Sequence, residues 1–286
     1  MRKGLGVAAA GVLLGAGMAR GDVDLSRQPN FVDQQFYQTT GPAETSPEKL
    51  GWPYENVTFP SLDGTELNGW LVHSAQGLES AKGTILYSHG NYGAMGIHLH
   101  SIGWLRNAGW NVFLYDYRGY GESAGKPERF GIVSDMRAAL KFLQQKEEID
   151  SNNLIAAGFS LGGATTITGM GLEGGEGVRL VVSMSGFSSY QKVVLDTAGP
   201  SLGALVSDEL APRDFVADIA PTPLLFIHGA EDRLVKVDHS EEMAKLAKGP
   251  VEFIKVDDGD HLNPFGSDAK DVMTDILRKL DAAVAK

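Results

Sequence analysis

The chain has 286 residues, 43% hydrophobic and 21% charged, and a formal net charge of −11. That balance excludes a wholly disordered or fibrous chain, and the negative charge disfavours non-specific contact with nucleic acid through phosphate repulsion. The absence of cysteine excludes disulfides, thiolate metal sites and a cysteine nucleophile together, and the scattered histidines show no ligand spacing, so no metal or other cofactor is implied.

Arg2 and Lys3 open the chain, and residues 4–18 follow without a charge. This stretch is shorter than the ~20 apolar residues of a membrane span and has the pattern of a signal-peptide core. Gly17 and Ala19 are the small residues expected before cleavage. Residues 1–19 are therefore read as a signal peptide, and the mature protein as secreted or periplasmic, or membrane-anchored if uncleaved. Cleavage would remove Arg2 and Lys3 and move the charge from −11 to −13. A lipid anchor at position 18 is chemically impossible, because Met18 stands where a lipoprotein has cysteine.

Residues 20–50 are polar and read as an arm or linker. One domain, residues 51–286, follows. It begins with a hairpin, since residues 56–60 and 67–73 flank the turn pair Asp63-Gly64. Short apolar runs then alternate with helical stretches. The runs cover 83–88, 110–117, 154–159, 180–184, 223–228 and 251–256, and they are continuous enough to be strands buried on both faces. The helical stretches cover 97–107, 132–147, 161–170, 240–247 and 267–285. This alternation predicts an α/β fold with a mainly parallel sheet, an N-terminal antiparallel hairpin and helices on both faces. The connection 187–219 is longer than the rest and is expected to form two surface helices or a short lid. Its Val193, Val194, Leu195, Leu202, Leu205 and Val206 are candidates for an apolar acyl pocket or for packing onto the domain.

Gly158-Phe159-Ser160-Leu161-Gly162 matches the G-x-S-x-G nucleophile elbow, a sharp strand-to-helix turn that needs small residues two before and two after the serine. With 36 glycines in the chain the motif alone is weak, and Gly121-Glu122-Ser123-Ala124-Gly125 matches it too. Context separates them. Ser160 follows an apolar run directly and opens a helix, whereas Ser123 is followed by the loop signal Gly125-Lys126-Pro127. Ser160 is the candidate nucleophile.

A serine hydroxyl needs a neighbouring base to attack at neutral pH. Of the histidines after it, His261 lies in a turn after the last strand, where it can reach over the sheet edge. His228 sits inside a strand, and His239 at the start of a charged helix is expected to be solvated. The acid should leave the strand 223–228, which makes both Glu231 and Asp232 candidates, while Asp257, Asp258 and Asp260 stand too close to His261 to orient it. Donors for an oxyanion are expected at the backbone N–H of Leu161 and in the loop 89–93, where Asn91 is chosen and His89 is given a stabilising role.

These blocks together resemble the α/β-hydrolase superfamily, in the branch of serine-aminopeptidase-like and depalmitoylase-like proteins. The matching residues are 53–59, Asp63-Gly64 through Gly69-Trp70-Leu71, Ser88-His89-Gly90-Asn91, Tyr115 to Gly121, Gly158 to Gly163, His228-Gly229 with Asp232, and His261. The resemblance spans nearly the whole mature chain. It implies that Asp232, three residues after the glycine of His-Gly, is the acid, that His261 is the base and that Asn91 is the loop donor. It also explains Ser123 as part of the loop after the fourth strand. The chain departs from the pattern at Asp260, where glycine usually precedes the histidine. The implied activity is hydrolysis of a small-molecule acyl ester or thioester through an acyl-enzyme, with amide or exopeptidase cleavage, or a non-catalytic binding role, as alternatives.

Overall fold

The computed structural model describes residues 36–41 and 45–285, so the expected signal peptide and most of the N-terminal arm lie outside the described residues. Strand β1 (Tyr54–Pro60) and strand β2 (Glu66–Val72) form the expected antiparallel hairpin. Its turn uses Asp63, whose carboxylate accepts the Thr65 N–H at 3.0 Å, and Gly64, which takes a positive φ of 87°. Strands β3 (Thr84–Ser88), β4 (Asn111–Tyr115), β5 (Leu154–Phe159), β6 (Leu180–Met184), β7 (Leu224–Gly229) and β8 (Val251–Val256) complete one sheet. Its order is β1-β2-β4-β3-β5-β6-β7-β8. The β1–β2 and β2–β4 pairs are antiparallel and all others are parallel.

The central strands are buried and mainly apolar because both faces are covered. Leu86, Val181 and Phe226 pack into one layer, while their neighbours Ile85, Val182 and Leu225 pack into the other. Strand β8 differs from the expectation of two buried faces. It lies at the sheet edge, and most of its residues are only partly covered.

The covering helices are α1 (Leu99–Asn107), α2 (Arg129–Gln145), α3 (Leu161–Leu172), α7 (Asp238–Leu246) and α8 (Ala269–Val284). Helix α2 starts earlier than its apolar pattern suggests because the Glu128 carboxylate accepts the Phe130 N–H at 2.9 Å and caps it. The long connection folds as three short helices, α4 (Tyr190–Ala198), α5 (Pro200–Gly203) and α6 (Pro212–Phe215), the last running into a 3₁₀ turn. Ser189 caps α4 by accepting the Lys192 N–H at 2.9 Å. Arg129 pins the insertion to the body, donating to the Ser207 and Glu209 carbonyls at 2.6 and 2.8 Å. The C-terminal ends of β3, β5, β7 and β8 all open toward this insertion, and parallel α/β sheets place ligands at that edge.

Candidate active site

Ser160 joins β5 to α3 with φ 53° and ψ −115°, a conformation that L-residues rarely adopt. The turn is possible because its neighbours lack side chains. A Cβ on Gly158 would strike the Gly162 carbonyl, and one on Gly162 would strike the carbonyl of Ser88 at the end of β3. The glycines of the motif are thus fixed by close backbone approach, and the serine is held at the strand end facing the cavity.

Three side chains from three strand ends meet there. His261 Nδ1 lies 2.7 Å from Asp232 Oδ2, and His261 Nε2 lies 3.0 Å from Ser160 Oγ. An ionised carboxylate can only accept, so Nδ1 carries the proton and Nε2 is left to accept from the serine hydroxyl. The other oxygen of Asp232 accepts the N–H groups of Leu234 and Val235 at 2.9 and 2.8 Å. Burial alone would raise the Asp232 carboxyl. The imidazoles of His228 and His261, together with the Val235 N–H, outweigh it and hold the group well below the usual carboxylate range. The carboxyl is thus held as an anion against His261 Nδ1.

Leu161 is the first residue of α3, so its N–H has no intrahelical partner and points with the helix dipole toward the serine end. Asn91 lines the same cavity as Ser160 and Leu161. Its side chain ties down the loop. Nδ2 donates to the Phe36 carbonyl at 2.8 Å, while Oδ1 accepts from the Tyr120 hydroxyl at 2.7 Å and the Gln38 N–H at 3.2 Å. Gly93 N–H donates to the Gln38 carbonyl at 2.9 Å. Residues 36–41 therefore lie against this loop, a contact that the polar composition of the arm did not announce.

The Tyr115 to Gly121 block braces the loop from below. The Tyr117 hydroxyl donates to the His89 carbonyl at 2.8 Å, and Asp116 accepts the Met95 N–H at 2.7 Å. His89 is fully buried, with Nδ1 donating to the Gly90 carbonyl at 2.7 Å, as its stabilising role requires.

The competing residues are occupied elsewhere. Ser123 Oγ donates to the Asp116 carbonyl at 2.7 Å and accepts the Asn68 N–H at 2.9 Å, which makes it a buried brace. His228 is buried between the Ser240 hydroxyl and the Val235 carbonyl, each at 2.7 Å. Glu231 is exposed. Asp260 accepts the N–H groups of Leu262 and Asn263, both at 2.8 Å, so the residue in place of glycine shapes the turn that presents His261. His239 corrects an expectation. It is fully buried, not solvated, and its Nδ1 accepts the Ser188 N–H at 3.1 Å. The charged pattern of α7 concealed this because the burial comes from contact with the distant Ser188 of the 187–219 insertion. Asp196, Asp238 and His239 have metal-like proximity. Lys192 and Lys236 already engage the carboxylates, however, and the Ser188 contact leaves the proton on His239 Nε2, where a metal would need a lone pair.

A cavity of about 940 Å³ adjoins Ser160. Among the described residues its lining includes Phe36, Trp104, Phe159, Met184, Phe187 and Phe265, and no Asp, Glu, Lys or Arg. Val193, Val194, Leu202, Leu205 and Val206 line it as expected, whereas Leu195 faces outward. Burial, with His89 nearby, holds the lining His98 down at about 3, so it contributes no charge.

The family model described as "Serine aminopeptidase, S33" matches residues 79–213. The uncharacterized protein YfhR of Escherichia coli K12 is 35% identical over 222 residues, which cover 77% of this chain and 78% of YfhR. The alpha/beta hydrolase domain-containing protein WAV2 of Arabidopsis thaliana is 29% identical over 240 residues, covering 76% and 75%. Among solved structures, the Pyrococcus furiosus esterase Pf2001 superposes with a TM-score of 0.69 at 21% identity, covering 87% of this chain and 98% of that one.

Proposed function

We propose that this chain, which belongs to the α/β-hydrolase superfamily, hydrolyses carboxylic esters or thioesters with Ser160 as nucleophile, His261 as base and Asp232 as the orienting acid. The observation that carries the reading is the unbroken relay from Ser160 Oγ through His261 to Asp232, at 3.0 and 2.7 Å. Ser160 Oγ attacks the acyl carbon while its proton passes to His261 Nε2. The oxyanion is received by the N–H groups of Leu161 and Asn91. His261 then gives the proton to the leaving alcohol or thiol, and the acyl group remains on Ser160. A water molecule repeats the sequence, with His261 again taking and returning one proton, and the free acid leaves.

The cavity favours an apolar acyl group over a peptide N-terminus. An aminopeptidase must pair the ammonium of its substrate with a carboxylate, and among the described residues no Asp or Glu lines this cavity. An aliphatic acyl chain needs no such partner. Pf2001, whose fold this chain shares, is an esterase, in agreement with this chemistry. A non-catalytic binding role would leave the strained serine and its relay without use. The test is turnover of a p-nitrophenyl ester together with labelling by a fluorophosphonate. The wild-type protein is expected to do both and Ser160→Ala neither, and a Ser160→Ala protein with full turnover would end the assignment.

A further inference from the structure

Among the described residues, nine large hydrophobic side chains are strongly exposed, and five of them line the mouth of the one large cavity. These are Tyr92, Leu202, Leu205, Leu234 and Leu262, with Leu262 90% exposed. They come from four separate segments: the loop after β3, the α5 region, the loop after β7 and the loop after β8. Single exposed leucines are ordinary, but convergence of four segments on one opening is not explained by local sequence.

We propose that this leucine rim docks on a lipid surface of zwitterionic headgroups, from which an ester with a long acyl chain passes into the cavity. The proposal rests on the hydrolase reading above and names its substrate class. Three observations select the occupant. Whatever covers the rim must leave the path to Ser160 open, and a folded protein or a second copy of this chain seated on the mouth would close it, whereas a lipid surface delivers substrate through it. The cavity behind the rim is mainly apolar and, among the described residues, is lined by no Asp, Glu, Lys or Arg, so it accepts an aliphatic chain without stranding a charge. The chain carries a net charge of −11, and Asp257, Asp258 and Asp260 stand exposed just before Leu262. Anionic headgroups would therefore be repelled and zwitterionic ones tolerated.

Binding and turnover are tested separately. In a Ser160→Ala background, co-sedimentation with phosphatidylcholine vesicles is expected. It should fall at least tenfold with Leu205→Ser and Leu262→Ser combined, and be unchanged by Leu246→Ser, an exposed leucine away from the mouth. Vesicles containing phosphatidylglycerol should bind less. For the wild-type protein, hydrolysis of a p-nitrophenyl decanoate should rise at least tenfold when the ester is carried in the vesicles. Absence of co-sedimentation overturns the docking proposal, as does a dimer that the same leucine substitutions dissolve. If p-nitrophenyl acetate is not hydrolysed, the hydrolase reading fails instead, and the co-sedimentation result still decides the docking.

Discussion

The side-chain amide of Asn91 donates to the carbonyl of Phe36 at 2.8 Å, joining the loop proposed to receive the oxyanion to a segment far upstream in the chain. In the proposed mechanism Asn91 serves through its backbone N–H, and its side chain fixes where that N–H sits. Asn91→Ala keeps the backbone donor and removes the tie to Phe36, Gln38 and Tyr120. A displacement near an ångström costs about a hundredfold in rate, so kcat on a short ester is expected to fall about tenfold to a hundredfold with little change in KM. Binding of a boronate transition-state analogue should weaken in proportion to kcat/KM. An unchanged boronate affinity would show that the tie does not serve the oxyanion.

Asp232→Asn should be far more damaging than its size suggests. Oδ1 of Asp232 accepts two backbone N–H groups, so an asparagine would keep its oxygen there and turn its NH₂ toward His261 Nδ1. The imidazole would then carry its proton on Nε2 and could not accept from Ser160. A fall in kcat of about 10⁴ is expected from the wrong tautomer, with Tm nearly kept, measured by steady-state hydrolysis and thermal unfolding.

Ser160 holds a positive φ of 53°, a backbone cost of about 1–3 kcal/mol for a residue with a Cβ. Ser160→Ala and Ser160→Gly should both be inactive, but only glycine relaxes the turn. Tm of the glycine variant is expected to exceed that of the alanine variant by a few degrees, at about 2–4 °C per kcal/mol for a domain of this size. Equal Tm values would mean that the elbow stores no strain.

Ser123 offers the opposite contrast. Ser123→Ala leaves the Asn68 N–H and the Asp116 carbonyl without their buried partner. The loss should be about 1–3 kcal/mol of stability in urea unfolding, while fluorophosphonate labelling of the folded protein continues.

Burial, with the positive charge of Lys192 nearby, holds His239 down at about 4 from the ordinary 6.5. The unfolded chain therefore takes up a proton on this residue that the folded chain refuses. Stability from this source is intact above pH 6.5, falls as the pH drops toward 4, and is constant below that. The full loss is on the order of 3 kcal/mol. His239→Asn can still accept the Ser188 N–H and does not titrate. Its unfolding free energy should change less than that of the wild type between pH 6.5 and pH 4, as measured by urea titration at each pH.

Motif and context made much of this site legible in advance. The strand ends before Ser160 and Asp232 stood out as apolar runs, and strand–helix alternation fixed the sheet class. The parts that escaped share a physical cause. His239 looked solvated because burial there comes from the 187–219 insertion, which leaves no mark on the local pattern. The arm at Phe36 and Gln38 looked like a linker because its composition is polar, while its anchoring comes from backbone hydrogen bonds and from the Phe36 ring packing on Phe187 and Tyr190, distant partners that leave no local pattern. Strand β8 read as buried on both faces because four of its six residues are apolar, while its edge position follows from the order of the sheet, which composition does not carry. Choosing between Glu231 and Asp232 needed the family resemblance, since both leave the same strand.

The proposed reacting groups issue from strand ends of one continuous sheet, while the leucines around the opening stand on segments outside it. Substrate choice can therefore drift among descendants of this protein by single changes at the opening, with the reacting atoms left in place. Diversity between relatives is expected to accumulate at positions 202, 205, 234 and 262 sooner than at any residue of the elbow.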